Sequence, residues 1–128
     1  MPSWSEYLTA ARARGSLAFE LYCVHSTPTG DRALLQQTLP DHLAYQAKLE
    51  ADGALVFAGP LSDETGEQME GMGMIIYRAS SFAAARALAD ADPMHASGAR
   101  RYTLRRWMIN EGGLTLSVRL SAQSVGLA

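Results

Sequence analysis

A chain of 128 residues has room for one domain with a real core and too little for two full ones. With 48% hydrophobic and 19% charged residues it has the make-up of a soluble globular domain, and a formal net charge of −2 gives it no electrostatic reason to seek nucleic acid or an acidic membrane. A single cysteine, Cys23, excludes an internal disulfide framework, and no run approaches the roughly 18 apolar residues of a membrane span, so a cytoplasmic protein is expected.

Trp4, Tyr7, Leu8 and Ala11 recur at helical spacing and predict a short amphipathic helix over residues 1–15, a lid or docking arm that ends at Gly15. Ser16 to His25 alternates as a strand does, with Leu17, Phe19, Leu21 and Cys23 on one face. Ser26 to Gly30 reads as loop. Residues 31–52 have a helical pattern interrupted by Pro40, which disfavours helical geometry in the residue before it. The region is therefore expected to divide into a turn of helix near 32–37 and a main helix from Pro40 to Asp52, with Gly53 closing it.

Ala54 to Ala58 is an apolar strand ended by Gly59-Pro60, and Ser62 to Gly71 is an acidic surface loop. Met72 to Ala79 predicts a second long strand, the third in chain order, with Met69, Met72 and Met74 read as core filler. Ser80 or Ser81 caps a helix from Phe82 to Asp92, which Pro93 stops. Arg101 to Ile109 is a further strand; the cluster Arg100, Arg101, Arg105 and Arg106 is read as its solvated or dimer-facing side. Asn110-Glu111-Gly112-Gly113 is a hairpin signal leading into a last strand over Leu114 to Leu120.

After the opening helix the order is β-α-β-β-α-β plus one strand. This is an α+β fold of the ferredoxin-like kind with an antiparallel sheet. The domain is expected over residues 16–110, with an N-terminal helical extension (1–15) and a C-terminal strand extension (111–128). Helices cover one face of such a sheet, yet several strands look apolar on both. A partner subunit's sheet is the expected second cover, hence a homodimer.

Two ionisable residues fall where a buried face should be. His42 shares a stripe with Leu35, Leu39, Tyr45 and Leu49, and Asp92 with Ala85, Leu88 and Ala89. A buried imidazole and a buried carboxylate are costly unless they satisfy each other or something bound between them. In the first turn of its helix His42 would feel the positive end of the dipole, which disfavours the charged ring by a few tenths to about 1 kcal/mol. Asp92 would sit at the unfavourable, negative end of its helix. Each also has a plain structural reading: a satisfied boundary histidine, and a turn residue accepting backbone N–H bonds before Pro93. Asp90 competes with Asp92, but Arg86 one turn earlier accounts for it as an exposed ion pair. Tyr45 and Ser97 are the candidate substrate-binding residues. Cys23, inside an apolar run, reads as a buried thiol before a nucleophile. His25 and His95 could extend the pair toward a metal site, but no ligand spacing such as H-x-x-x-H supports one. No phosphate loop, dinucleotide fingerprint or nucleophile elbow is present in the sequence, so no cofactor is expected.

Pro40-Asp41-His42-Leu43, then Ala58-Gly59-Pro60-Leu61, then Phe82-Ala83-Ala84-Ala85-Arg86-Ala87 leading into Ala91-Asp92-Pro93 and Gly98, resemble the YCII (YciI-like) family. The resemblance spans roughly Ser16 to Asn110. It implies a subunit of the dimeric α+β barrel type in which sheet packs on sheet, with a histidine and an aspartate as catalytic pair, here His42 and Asp92. It also implies kinship with enzymes acting on small cyclic or aromatic-derived molecules, muconolactone-isomerase-like proteins and a dehydrochlorinase of a chlorinated hydroxyquinol among them. The terminal segments depart from short family members. The leading expectation is thus a cofactor-free lyase or isomerase in which His42 moves the proton and Asp92 orients the ring. The alternatives are a non-catalytic ligand-binding or accessory module and a metal-dependent variant. One geometric tension remains in this reading. The start of one helix and the end of the other lie toward opposite ends of such a subunit. They meet only if the chain after Ala91 folds back, if the first helix begins near Asp31, or if the contact crosses a dimer.

Overall fold

The computed structural model describes residues 1–127. Its elements are α1 (Trp4–Ala13), β1 (Phe19–Pro28), α2 (Arg32–Ala51), β2 (Leu55–Ser62), β3 (Met69–Tyr77), α3 (Phe82–Ala91), α4 (Pro93–Ala96), β4 (Arg100–Ile109), β5 (Leu116–Arg119) and β6 (Ser124–Leu127). The chain forms two compact units. One runs from Glu20 to Trp107; the other joins Met1–Phe19 to the chain from Met108 onward.

In the larger unit a four-stranded sheet has the order β2-β3-β1-β4, the ferredoxin-like arrangement expected from the element order. β3 pairs antiparallel with both β1 and β2, placing Val24 opposite Ile75 and Tyr22 opposite Tyr77. Tyr22, Val24, Ile75 and Tyr77 project toward the helices and pack with Leu49 of α2 and with Ala85 and Ala89 of α3. Ala85 and Ala89 are fully buried, so α3 can lie close on the sheet. Ser81 caps it by accepting the Ala84 amide proton at 3.0 Å.

Strand extents depart from the sequence reading. β1 continues through Ser26 to Pro28, and β2 runs through Gly59-Pro60 to Ser62. β2 lies at the sheet edge, where a missing N–H is tolerated, and register shifts flank Phe57 and Pro60. The segment read as a loop up to Gly71 supplies the first residues of β3.

α2 is one helix of 20 residues with Pro40 inside it, not two. Asp31 caps it, accepting from the Leu34 amide at 3.0 Å. Pro40 and Gln36, whose carbonyl loses its partner, are both exposed, so water can take the place of the missing bond.

In the smaller unit α1 begins with a reciprocal cap: Ser3 accepts from the Glu6 amide, and Glu6 accepts from the Ser3 amide. The last strand does not extend the main sheet by a hairpin at Asn110–Gly113. β5 pairs instead with β6, in a separate two-stranded sheet with Leu116 opposite Leu127. The turn that joins them includes Gln123 at φ 50, and neither it nor β6 was foreseen from the sequence.

Because Pro40 already lacks the helical bond, Pro40→Ala should restore it and stabilise the protein by about 1–3 kcal/mol. A lower urea midpoint for this variant would contradict a continuous α2.

Candidate active site

The continuity of α2 places His42 near its middle. α3 stops at Ala91, and Asp92 turns the chain into the short α4, serving as C-cap of one helix and N-cap of the next. With Pro93 at the first helical position, the Asp92 carboxylate accepts the Met94 amide proton at 2.9 Å. The same carboxylate meets His42 Nδ1, at 2.8 Å from Oδ1 and 3.0 Å from Oδ2. Asp92 is completely buried, while the His42 side chain is 16% exposed. Both intrachain routes that could bring the pair together are thus used: the helix starts at Arg32, and the chain folds back after Ala91.

His42 lies well past the first turn, where the N-terminal dipole has faded, so the dipole argument made for a first-turn histidine does not apply to it. The awkward placement of Asp92 at a helix C-terminus is resolved by its capping of α4, the turn role weighed against catalysis. It performs that role and holds His42 as well.

A carboxylate only accepts, so the proton between them belongs to Nδ1, and Nε2 of the neutral ring carries the lone pair. His42 lines a cavity of about 460 Å³, within the range of small-molecule sites. Leu39, Leu43 and Gln46 of α2 form one wall, Ala58 to Pro60 of β2 another, and Met69, Met72, Met74 and Met94 contribute much of the rest. The methionines expected to fill the core line this space instead. Ser26 and Arg100 complete the lining.

Arg100 was expected on the solvated or dimer-facing side of its strand, but it turns inward. Its Nε donates to Ser26 Oγ at 2.9 Å, and its Nη2 donates to the Ser26 carbonyl at 2.9 Å and to the Gly71 carbonyl. The signal was in the alternation: Arg100 is in phase with Tyr102 and Leu104, which pack toward the core. His95 Nδ1 donates to the Ala89 carbonyl at 2.7 Å, so its Nε2 accepts from Ser26 Oγ at 2.8 Å. Burial holds His95 below the usual imidazole range.

The two candidate substrate-binding residues take other positions. The Tyr45 hydroxyl donates to the Leu88 carbonyl at 2.7 Å and its ring packs on the core; burial and the Asp92 charge push its pKa up. Ser97 is engaged with the backbone of α4 and Ala99. Neither lines the cavity. Asp90 does not pair directly with Arg86; both bond the Tyr102 hydroxyl. Cys23 is buried and its thiol is pushed up by that burial, which suits a packed thiol rather than a nucleophile. Among the described residues no group of three or more His, Cys, Asp or Glu side chains could hold a metal ion.

Fold and cavity together define a small α+β domain of ferredoxin-like topology with a ligand-sized pocket walled by helix and sheet. The chain belongs to the YCII-related domain family, which matches residues 21–108. It is 30% identical over 76 residues to YjpA, an uncharacterized protein of Bacillus subtilis (strain 168), a stretch covering 59% of this chain and 82% of that one. Its fold is similar to that of 5-chloro-2-hydroxyhydroquinone dehydrochlorinase (TftG) from Burkholderia phenoliruptrix AC1100, solved in complex with 2,5-dihydroxybenzoquinone. The TM-score is 0.54 at 22% identity, covering 68% of this chain and 92% of that one.

Two outcomes follow from this geometry. Asp92→Ala removes a cap and strands the His42 Nδ1–H, and should destabilise the fold by about 2–4 kcal/mol in urea titration. A change within experimental scatter would mean that the contact does no structural work. His95, with its pKa lowered in the folded state, binds fewer protons there than when unfolded. Its contribution is therefore complete above the usual value of 6.5 and is lost as pH falls through the depressed one. Urea midpoints should fall on acidification, and less steeply in His95→Asn; equal slopes would contradict a His95 that is buried neutral.

Proposed function

We propose that this protein is a cofactor-independent lyase or isomerase acting on a small cyclic or aromatic-derived compound, with His42 and Asp92 as its catalytic pair. The observation that carries the reading is the buried Asp92 held on Nδ1 of a histidine that lines an open, largely apolar cavity. That arrangement leaves Nε2 as the basic atom presented to a ligand.

His42 Nε2 takes a proton from a carbon or oxygen of the bound ring, and the imidazolium so formed is stabilised by the Asp92 carboxylate against Nδ1. In an isomerisation the same proton is returned at another position. In an elimination the electron pair released from the C–H bond forms the new double bond and expels the leaving group. Small-ring chemistry is supported by the size of the cavity and by the kind of compound named for the fold neighbour. Tyr45 and Ser97 have no part in this scheme, their polar groups being used elsewhere.

A second reading, a ligand-binding module without chemistry, draws on the structural employment of Asp92: capping α4 and tying it to α2 would justify the pair by itself. We further propose that the protein works as a cytoplasmic homodimer. On the sheet face opposite the helices Phe57, across from Ile76, is 51% exposed, which leaves apolar surface for a second copy. Among the described residues no helix is long and apolar enough to cross a membrane.

Native mass spectrometry of the purified protein, followed by turnover assays on the ring compounds retained, tests the catalytic reading. His42→Ala should lower the rate by roughly 10²–10⁴-fold while the protein keeps its fold and still binds the compound. An unaltered rate would remove His42 from the chemistry, and binding without any turnover in wild type would favour the second reading.

A further inference from the structure

The one cation in the cavity wall has no anionic partner. The guanidinium of Arg100 contacts a hydroxyl and two carbonyls through Nε and Nη2, and among the described residues Nη1 makes no hydrogen bond. Neither ion pair among the described residues includes it. Asp92, the carboxylate whose charge it feels, has its oxygens engaged by His42 and the Met94 amide.

The side chain is also held in place. It starts from β4, crosses Ser26 of β1 and reaches Gly71 of β3, passing Gly73, which pairs with Ser26 and has no side chain to obstruct it. Ser26, itself buried, is fixed in turn by donating to His95. Three of five N–H donors are thus spent on orientation, and two remain. A guanidinium held this way, in a largely apolar wall whose other polar side chains are Ser26, His42 and Gln46, suits a single oxyanion better than a neutral polar group.

We propose that Arg100 is the anion-recognising residue of the cavity, and that the ligand is a small planar ring compound bearing one negatively charged oxygen, a carboxylate or an ionised ring hydroxyl. The inference rests on the reading of this cavity as the ligand site. It assigns the substrate's charge, and it makes Arg100 a specificity residue beside the His42 base. The apolar walls take the ring, Nη1 of Arg100 takes the oxyanion, and Nε2 of His42 is left for the proton.

The test uses the full chain with three probes: benzoate, 4-nitrophenolate above its ionisation, and neutral benzamide. Calorimetry should give at least one anion bound roughly tenfold or more tighter than benzamide, the size of a charge-assisted contact. Which anion binds tighter names the source of the charge. In Arg100→Met the preference should vanish, and Arg100→Lys should keep part of it.

If Arg100→Met does not fold, wild type decides alone. The anion must shift the methyl resonances of Met72, Met74 and Met94 and the Arg100 Nε–H resonance, and benzamide at the same concentration must leave the latter in place. Equal binding of anions and benzamide, binding of none of the three, or a preference that survives in Arg100→Met would overturn the proposal. Those results would leave any measured turnover by His42 standing. Conversely, a protein that prefers anions but turns over nothing would sink the catalytic reading and keep this one.

Discussion

The hydrogen bond between Asp92 and His42 is the contact on which the site depends. A carboxylate without exposure in this unit is tolerable only if its oxygens are satisfied, and two donors do so together, the Met94 amide and the His42 ring, in a turn set by Pro93. Each partner comes from the way the chain changes direction. Proline after Asp92 ends α3 and starts α4, whose first amides need an acceptor. α2 runs unbroken past Pro40, bringing an imidazole opposite the same carboxyl. A structural necessity at a helix junction thereby becomes a way of fixing a histidine tautomer.

That fixation gives the cavity its asymmetry. Its walls are methionine, leucine and backbone from α2, β2 and β3, and only His42, Arg100, Ser26 and Gln46 bring polar side chains to it. His42 and Arg100 are each held from behind, the first by Asp92, the second by Ser26 and the Gly71 carbonyl. Each retains nitrogen for something bound. Those orienting contacts are all made within the chain, by Asp92 on one side and by Ser26 and the Gly71 carbonyl on the other. His95 belongs to the same scaffold: kept neutral by burial, it accepts from Ser26 and so decides which way that hydroxyl points.

Much of this was legible in the sequence. Helical and alternating periodicities located the elements, and their β-α-β-β-α-β order is the pattern of the ferredoxin-like topology. His42 and Asp92 stood out as ionisable groups on apolar stripes. What stayed hidden turned on context. Pro40 looked like a helix break because the cost of a lost bond depends on whether water can replace it, which sequence does not state. Arg100 was grouped with Arg101, Arg105 and Arg106 by type, although its phase matched Tyr102 and Leu104. The methionines of residues 69–74 lacked any signal separating a packed thioether from one lining a void, and Tyr45 and Ser97 were drawn toward the site by spacing while their hydroxyls had nearer backbone partners. β6 follows a turn without the usual glycine, and pairing between two short strands leaves almost no compositional trace.

The account stands most directly on where the proton of the His42 ring resides. Nitrogen-15 NMR of histidine-labelled protein, recorded while the ring is neutral, distinguishes a protonated from a bare ring nitrogen. The account predicts His42 with Nδ1 protonated toward Asp92 and Nε2 bare. A proton found on Nε2 would mean that the carboxyl group is itself the donor, and the base proposed for the cavity would not exist.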